Sequence, residues 1–185
     1  ILGDNFFHGQ GLIELLNNAL KNFNFGASVF SYNVKNPSAY GVIEQNIKGI
    51  KFVEKPIKTK SKKAITGLYF FDNNVSKLSS KLRKSKRGEL EIIDLLKLYL
   101  KDKKIKIKDL GRGSTWLDTG TSKDILKAGN YIEIIEERQN QKIACLEEIA
   151  FKKKWISRNL VKSRIKYYGK SEYSNYLEEI LNDDK

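Results

Sequence analysis

Apolar residues recur along this chain with two different periods, and the switches between them mark out its elements. Leu12, Leu15, Leu16, Ala19, Leu20 and Phe23 follow helical spacing, and Gly26 closes the segment. ASVFSYNV, residues 27–34, is instead a run of β-branched and aromatic residues and predicts a strand. Asn36 and Pro37 supply a turn, and Gly41 permits close backbone approach before a further strand. GIKFVEKP alternates inward and outward and stops at Pro56, and AITGLYFFD, residues 64–72, is another strand with Gly67 at a point of close contact. Two helical patterns follow, from about Asn74 to Leu82 and from Glu89 to Leu100, the second with Leu90, Ile93, Leu96 and Tyr99 on one face.

The strictly alternating KIKIKDL predicts a strand exposed on one side, and WLD a second strand before a glycine turn. Thr121 followed by Asp124 forms the start signal of a helix running to about Arg138. From Lys142 onward the pattern is mostly helical, clearest at 146–155 and 172–181. This order predicts an α/β sheet domain over residues 1–138 and a helical C-terminal extension over 139–185.

The beginning, ILGDNFFHGQG, has the form of a strand-to-loop junction. Ile1 and Leu2 read as the last residues of a buried strand, Gly3 as its turn, and Asp4 and Asn5 as polar groups at the strand's end, with a loop after them. Ligands of open α/β sheets bind beyond such strand ends. With no methionine anywhere in its 185 residues, the chain reads as a piece of a longer protein.

Charge and composition narrow the function classes. A net charge of +13 permits a polyanion partner, but no nucleic-acid-binding motif accompanies the lysines, so a phosphate-handling cleft is the simpler reading and no nucleic acid is expected. The apolar runs are too short for a membrane span, and no membrane partner is expected. One cysteine, Cys145, excludes an internal disulfide and fits a reducing, cytoplasmic setting. His8 is the only histidine, so a catalytic triad is unavailable.

Asp4 and Asp118 each lie at the tip of a strand-like run beside a glycine. Such a pair can share a hard divalent cation, although an acid beside a glycine also serves as ordinary turn chemistry. Glu54 and Lys55 can reach one ligand together only where the strand breaks, which Pro56 supplies; otherwise they form a surface ion pair. Trp116 fits either a core position or stacking on a sugar ring.

Taken in order, LGDN, AYGVIE, VEKP, ITGLYFFD, RGELEI and WLDTGT resemble the motifs of the sugar nucleotidyltransferases, most closely their glucose-1-phosphate thymidylyltransferase branch. The likeness covers essentially the whole chain, including ACLEEIAF at 144–151. It implies a mixed, mainly parallel Rossmann-like sheet, incomplete here, because the family's glycine-rich nucleotide-binding loop has no counterpart. The implied substrates are dTTP and glucose 1-phosphate, with relatives using UTP or CTP as the neighbouring alternative and a non-catalytic sugar-phosphate-binding remnant as another. On its own the chain is expected to be catalytically dead.

The resemblance assigns Asp4 and Asp118 to Mg2+, Lys55 to the sugar phosphate and Glu54 to glucose hydroxyls. Asn5, Tyr40, Gly41, Ile65 and Trp116 complete the implied pocket. It further implies a homotetramer with a regulatory nucleotide site, for which Arg112, Cys145, Glu148 and Ile149 occupy the matching stretches. Leu146 stands where that motif usually has proline, a departure that bears on regulation rather than on the pocket.

Overall fold

The computed structural model describes residues 1–21, 23–47 and 49–183. The chain divides into two units, Ile1–Asp124 and Ile125–Lys185.

In the first unit, the apolar runs form strands with both faces covered. Strands β2 (Ala27–Asn33) and β5 (Lys63–Phe71) are buried over five successive residues each, since alternate side chains enter opposite layers. Phe30, Ala64 and Leu68 pack with Ala19, Leu15 and Leu16 of α1 (Leu12–Lys21). Val29 and Ile65 pack with Ile93 and Leu96 of α3 (Ile92–Lys101). The expected end of α1 crosses Asn22, which lies outside the described residues.

The sheet has the order β4-β3-β5-β2-β6, where β3 is Val42–Asn46, β4 is Gly49–Val53 and β6 is Ile105–Asp109. The α/β class matches the sequence pattern, and the sheet is mixed as the resemblance implies, but it is not mainly parallel. Among the described residues only β2 and β6 pair in parallel, while β3–β4, β3–β5 and β2–β5 are antiparallel. Connectivity is the cause. Strand β4 follows β3 through a short connection, the form that makes an antiparallel pair, whereas β6, parallel to β2, is reached through α2 (Val75–Ser79) and α3.

The chain's opening departs from expectation. Ile1 and Leu2 are exposed and outside any strand, although Leu2 lies against β5, its N–H donating to the Gly67 carbonyl at 2.8 Å. The chain then turns at Asp4, and residues expected in a loop form β1 (Asn5–Gly9), paired antiparallel with β7 (Ser114–Asp118). Asn5 lies opposite Asp118, and Phe7 opposite Trp116. Leu90 is also exposed rather than on a helix face, because residues 85–91 close a loop of their own in which the Ser85 N–H donates to the Glu89 carbonyl at 2.8 Å.

Helix α4 (Ser122–Gln139) starts at the expected signal: the Thr121 hydroxyl donates to the Asp124 carboxylate at 2.6 Å and accepts from its N–H at 3.2 Å. In the second unit, α5 (Leu146–Lys152), α6 (Arg158–Tyr168) and α7 (Glu172–Asp183) enclose Cys145, Val161, Leu177 and Leu181. Trp155, expected in the helix that became α5, lies beyond its end and is exposed. Among the described residues no helix is long and apolar enough to cross a membrane.

Candidate functional site

The β1–β7 ribbon sets the two candidate acids side by side. Register places Asn5 opposite Asp118, and Thr119 continues the pairing, its N–H and its hydroxyl each donating to the Asp4 carbonyl at 2.8 Å. Gly120 lies between the carboxylates: a Cβ added there would sit 3.3 Å from Asp118 Oδ1 and 3.8 Å from Asp4 Oδ2. Asp4 Oδ1 accepts from the Asn5 amide at 2.8 Å, and Asp118 Oδ1 from the Gly120 N–H at 3.2 Å. Among the described residues each carboxylate is thus oriented by a single neighbour and keeps acceptor capacity.

Both acids line a cleft of about 190 Å³, together with Tyr40, Gly41, Glu54, Lys55, Ile65 and Trp116. The break that lets Glu54 and Lys55 face one ligand is present. Strand β4 ends at Val53, and Lys55 takes a φ of 38°, an unusual conformation for a residue with a side chain, held by its N–H donating to the Tyr40 carbonyl at 3.1 Å. The Gly41 carbonyl accepts from the Ile65 N–H at 2.8 Å, fixing the far wall against β5. Gly41 itself has no room for a side chain, since a Cβ would lie 2.6 Å from Ile93 Cδ1 and 3.1 Å from Glu54 Oε2.

Trp116 takes both of the roles its position allowed. It is buried in the α1-side core, and it lines the cleft with the Tyr40 ring 5.0 Å away, centroid to centroid. Its indole N–H donates to Asn5 Oδ1 at 2.6 Å, and the same oxygen accepts from the Gly67 N–H at 3.0 Å. The close point expected at Gly67 is therefore filled by Asn5, whose side chain pins β1 to β5 and β7 while its amide holds Asp4. Asn5→Ala leaves two donors without their acceptor, and chemical denaturation is expected to show a loss of about 2 kcal/mol or more.

One residue next to this cleft was not singled out from the sequence. Arg87 Nη1 lies 3.3 Å from Glu54 Oε1 and 3.5 Å from Glu91 Oε1, and its Nη2 lies 3.1 Å from Glu89 Oε2. The available signal was an arginine two and four residues ahead of acids in RGELEI. Burial, reinforced by the charge of Glu91, raises the Glu54 pKa, against the pull of Lys55 and Arg87. Burial, together with the Glu54 charge, also raises that of Tyr69 on the cleft wall.

The remaining candidates lie elsewhere. Arg112 is exposed in the first unit, between β6 and β7. Cys145, Glu148 and Ile149 belong to the second unit, at the start of α5. The Cys145 thiol is buried and donates to the Tyr173 hydroxyl at 3.2 Å, while Glu148 holds Lys152 and the Tyr176 hydroxyl, each at 2.6 Å. A larger groove of about 720 Å³ in that unit is walled by Glu133, Glu136, Glu137, Glu172 and Glu179 with Lys142. So acidic a wall repels phosphate esters.

Among the described residues no three or more His, Cys, Asp or Glu side chains cluster to hold a metal. Two hard carboxylate donors nevertheless suit Mg2+, which commonly takes one or two carboxylates and completes its shell with water and phosphate oxygens.

Comparison with known proteins identifies relatives of this chain. A Mycobacterium tuberculosis glucose-1-phosphate thymidylyltransferase is 41% identical over 185 residues, and the Neisseria meningitidis enzyme of that name is 42% identical over 183; each alignment covers 98% of this chain and 63% of the relative. The chain thus spans less than two thirds of the length of these relatives. A Bacillus anthracis structure described as a glucose-1-phosphate thymidylyltransferase in complex with a sucrose superposes with a TM-score of 0.60 at 36% identity, over 71% of this chain and 52% of that one. A UDP-glucose pyrophosphorylase complexed with UDP-glucose shares the fold, at 22% identity and a TM-score of 0.60 over 71% and 53% of the two chains. The model of the family described as nucleotidyl transferase matches residues 1–134, and the chain belongs to that family.

Proposed function

We propose that the cleft is the hexose-phosphate side of a nucleotidyl transfer site, and that the protein transfers a thymidylyl group from dTTP to glucose 1-phosphate, giving dTDP-glucose and pyrophosphate. The observation that carries this reading is the placing of two carboxylates, one just before β1 and one at the end of β7, in a cleft whose walls hold Lys55, Glu54 and Gly41. In such a transfer an oxygen of the sugar phosphate forms a bond to the α-phosphorus while the bond to pyrophosphate breaks. The protein's part is positioning and charge compensation.

Each residue has a task on this reading. Lys55, projecting from a strained turn, holds the sugar phosphate as a point charge. Glu54 accepts from hexose hydroxyls, and the bare backbone at Gly41 lets the ring approach. Tyr40 and Trp116 exclude water along one side, and Ile65 closes the floor. Asp4 and Asp118 hold Mg2+, which when bound offsets the negative charge of the phosphates. The protein is then a cytoplasmic homo-oligomer, tetrameric as in the family it resembles.

Calorimetry on the full-length protein tests this reading, using dTDP-glucose and UDP-glucose with and without Mg2+. Binding of dTDP-glucose that strengthens with Mg2+ and exceeds that of UDP-glucose is the expected result. A preference for UDP-glucose would move the protein to another branch of the family. Binding of neither would leave the cleft without a nucleotide-sugar role.

A further inference from the structure

Three carboxylates surround one guanidinium at the back of the cleft. Arg87 Nη1 is shared by Glu54 and Glu91 at 3.3 and 3.5 Å, and Nη2 faces Glu89 at 3.1 Å. Glu89 is well exposed and largely compensated by solvent, whereas the side chains of Glu54 and Glu91 retain only 22% and 12% of their accessible surface. Burial and the charge of Glu91 both raise the Glu54 pKa, and a cation lying between the two carboxylates opposes that rise. Arg87 is placed to be that cation, from a loop that Ser85 closes by donating to Glu91 at 2.9 Å.

Glu54 divides its two oxygens between different tasks. Oε1 faces Arg87, and Oε2 points toward Gly41, within 3.1 Å of where a Cβ would stand. While ionised, Glu54 is acceptor-only on both oxygens; once protonated, one oxygen carries a donor and the other is a weaker acceptor, so the fixed acceptor pattern toward the cleft is lost. We propose that Arg87 is a positioning residue of the cleft, which keeps Glu54 ionised and aimed at Gly41 by separating it from Glu91. The consequence for hexose binding rests on the function proposed above; the effect on Glu54 itself does not.

The charged and titratable groups facing Glu54 are few. Lys55 adjoins it in the chain, Arg87 and Glu89 approach from the loop, Glu91 and Asp94 from the start of α3, and Tyr69 from β5. Asp94 is itself paired with Lys97 at 2.8 Å. Burial and Glu91 already raise the Glu54 pKa, and Arg87 opposes them, so loss of Arg87 moves its titration further up.

Carboxyl 13C NMR of the chain, with the Glu54 resonance assigned by its absence from Glu54→Gln, reads this directly. Arg87→Gln is expected to move the Glu54 titration midpoint upward by at least about half a pH unit. Arg87→Lys, and Arg87→Gln combined with Glu91→Gln, are expected to return it toward the parent value. Glucose 1-phosphate affinity is expected to follow, falling more at pH 5.5 than at pH 8 in Arg87→Gln (roughly threefold or more against less than twofold). A Glu54 midpoint unmoved by Arg87→Gln, or unrestored when Glu91 is neutralised, overturns the proposal. So does an affinity loss equal at both pH values, which marks Arg87 as a direct ligand contact. If the midpoint moves as stated and glucose 1-phosphate binds at neither pH, the positioning role stands and the hexose reading fails.

Discussion

Asp118→Asn is expected to abolish the Mg2+ dependence of dTDP-glucose binding. On the function proposed above, it is expected to lower the kcat of nucleotidyl transfer by the full-length protein on the order of 10²–10³-fold. The substitution changes charge and little else: the asparagine oxygen can still accept from the Gly120 N–H, which lies 3.2 Å from Asp118 Oδ1, so the turn after β7 keeps its hydrogen bond. Asp4→Asn should behave alike, because its Oδ1 accepts from the Asn5 amide at 2.8 Å and an amide oxygen can do the same. If the two acids serve one cation, the double substitution costs scarcely more than either single one, as groups acting as a unit are not additive. Asp102→Asn, on the exposed C-terminus of α3, removes the same charge far from the cleft and is expected to change neither quantity. Retained Mg2+ dependence in Asp118→Asn, or simple multiplication of the two single effects, would break the link between the carboxylates and the metal.

How much of this was legible in the chain depended on the distance over which each signal acts. Local signals were clear. The run ITGLYFFD formed a central strand, and the Thr121 and Asp124 pair made the hydrogen bonds its spacing implies. The break after Val53 was readable from Pro56, and with it the possibility that Glu54 and Lys55 face one cleft. Pairings over long separations were not. NFFHG has no alternation to mark it as a strand, and its partner STWLD stands at the other end of the unit, so nothing nearby fixed their register. The parallel character was overestimated for a related reason, because strand direction follows from the connections and not from the composition of a strand. Helix α6 was indistinct since only Val161 of RNLVKSRIKYY is buried, leaving a weak apolar stripe on a basic segment. Asn5 and Arg87 are the instructive cases: as residue types they were visible, but their work lies in the partners they bridge, Trp116 and Gly67 for one and Glu54 and Glu91 for the other.

Gly41→Ala is expected to weaken glucose 1-phosphate binding by about 10- to 100-fold, the size expected when a hydrogen bond to a charged group is lost, while leaving the chain folded. Gly41 is not in the left-handed region, so the backbone tolerates alanine and only space forbids it. The new methyl would meet Ile93 Cδ1 at 2.6 Å, Ile93 Cγ1 at 3.0 Å and Glu54 Oε2 at 3.1 Å. Crowding against a buried isoleucine costs about 1–3 kcal/mol in stability. Displacing the carboxylate oxygen acts instead on the ligand, because Oε2 is the acceptor proposed above to face it. The two effects separate in Gly41→Ala combined with Ile93→Val, which removes the nearest clashing carbon. Thermal unfolding should then recover toward the parent value, while calorimetry still shows weak sugar-phosphate binding, since nothing has been done to restore the space beside Glu54. Affinity that recovers together with stability would assign the loss to general distortion of the wall, and unchanged affinity in Gly41→Ala alone would remove the hexose from this end of the cleft.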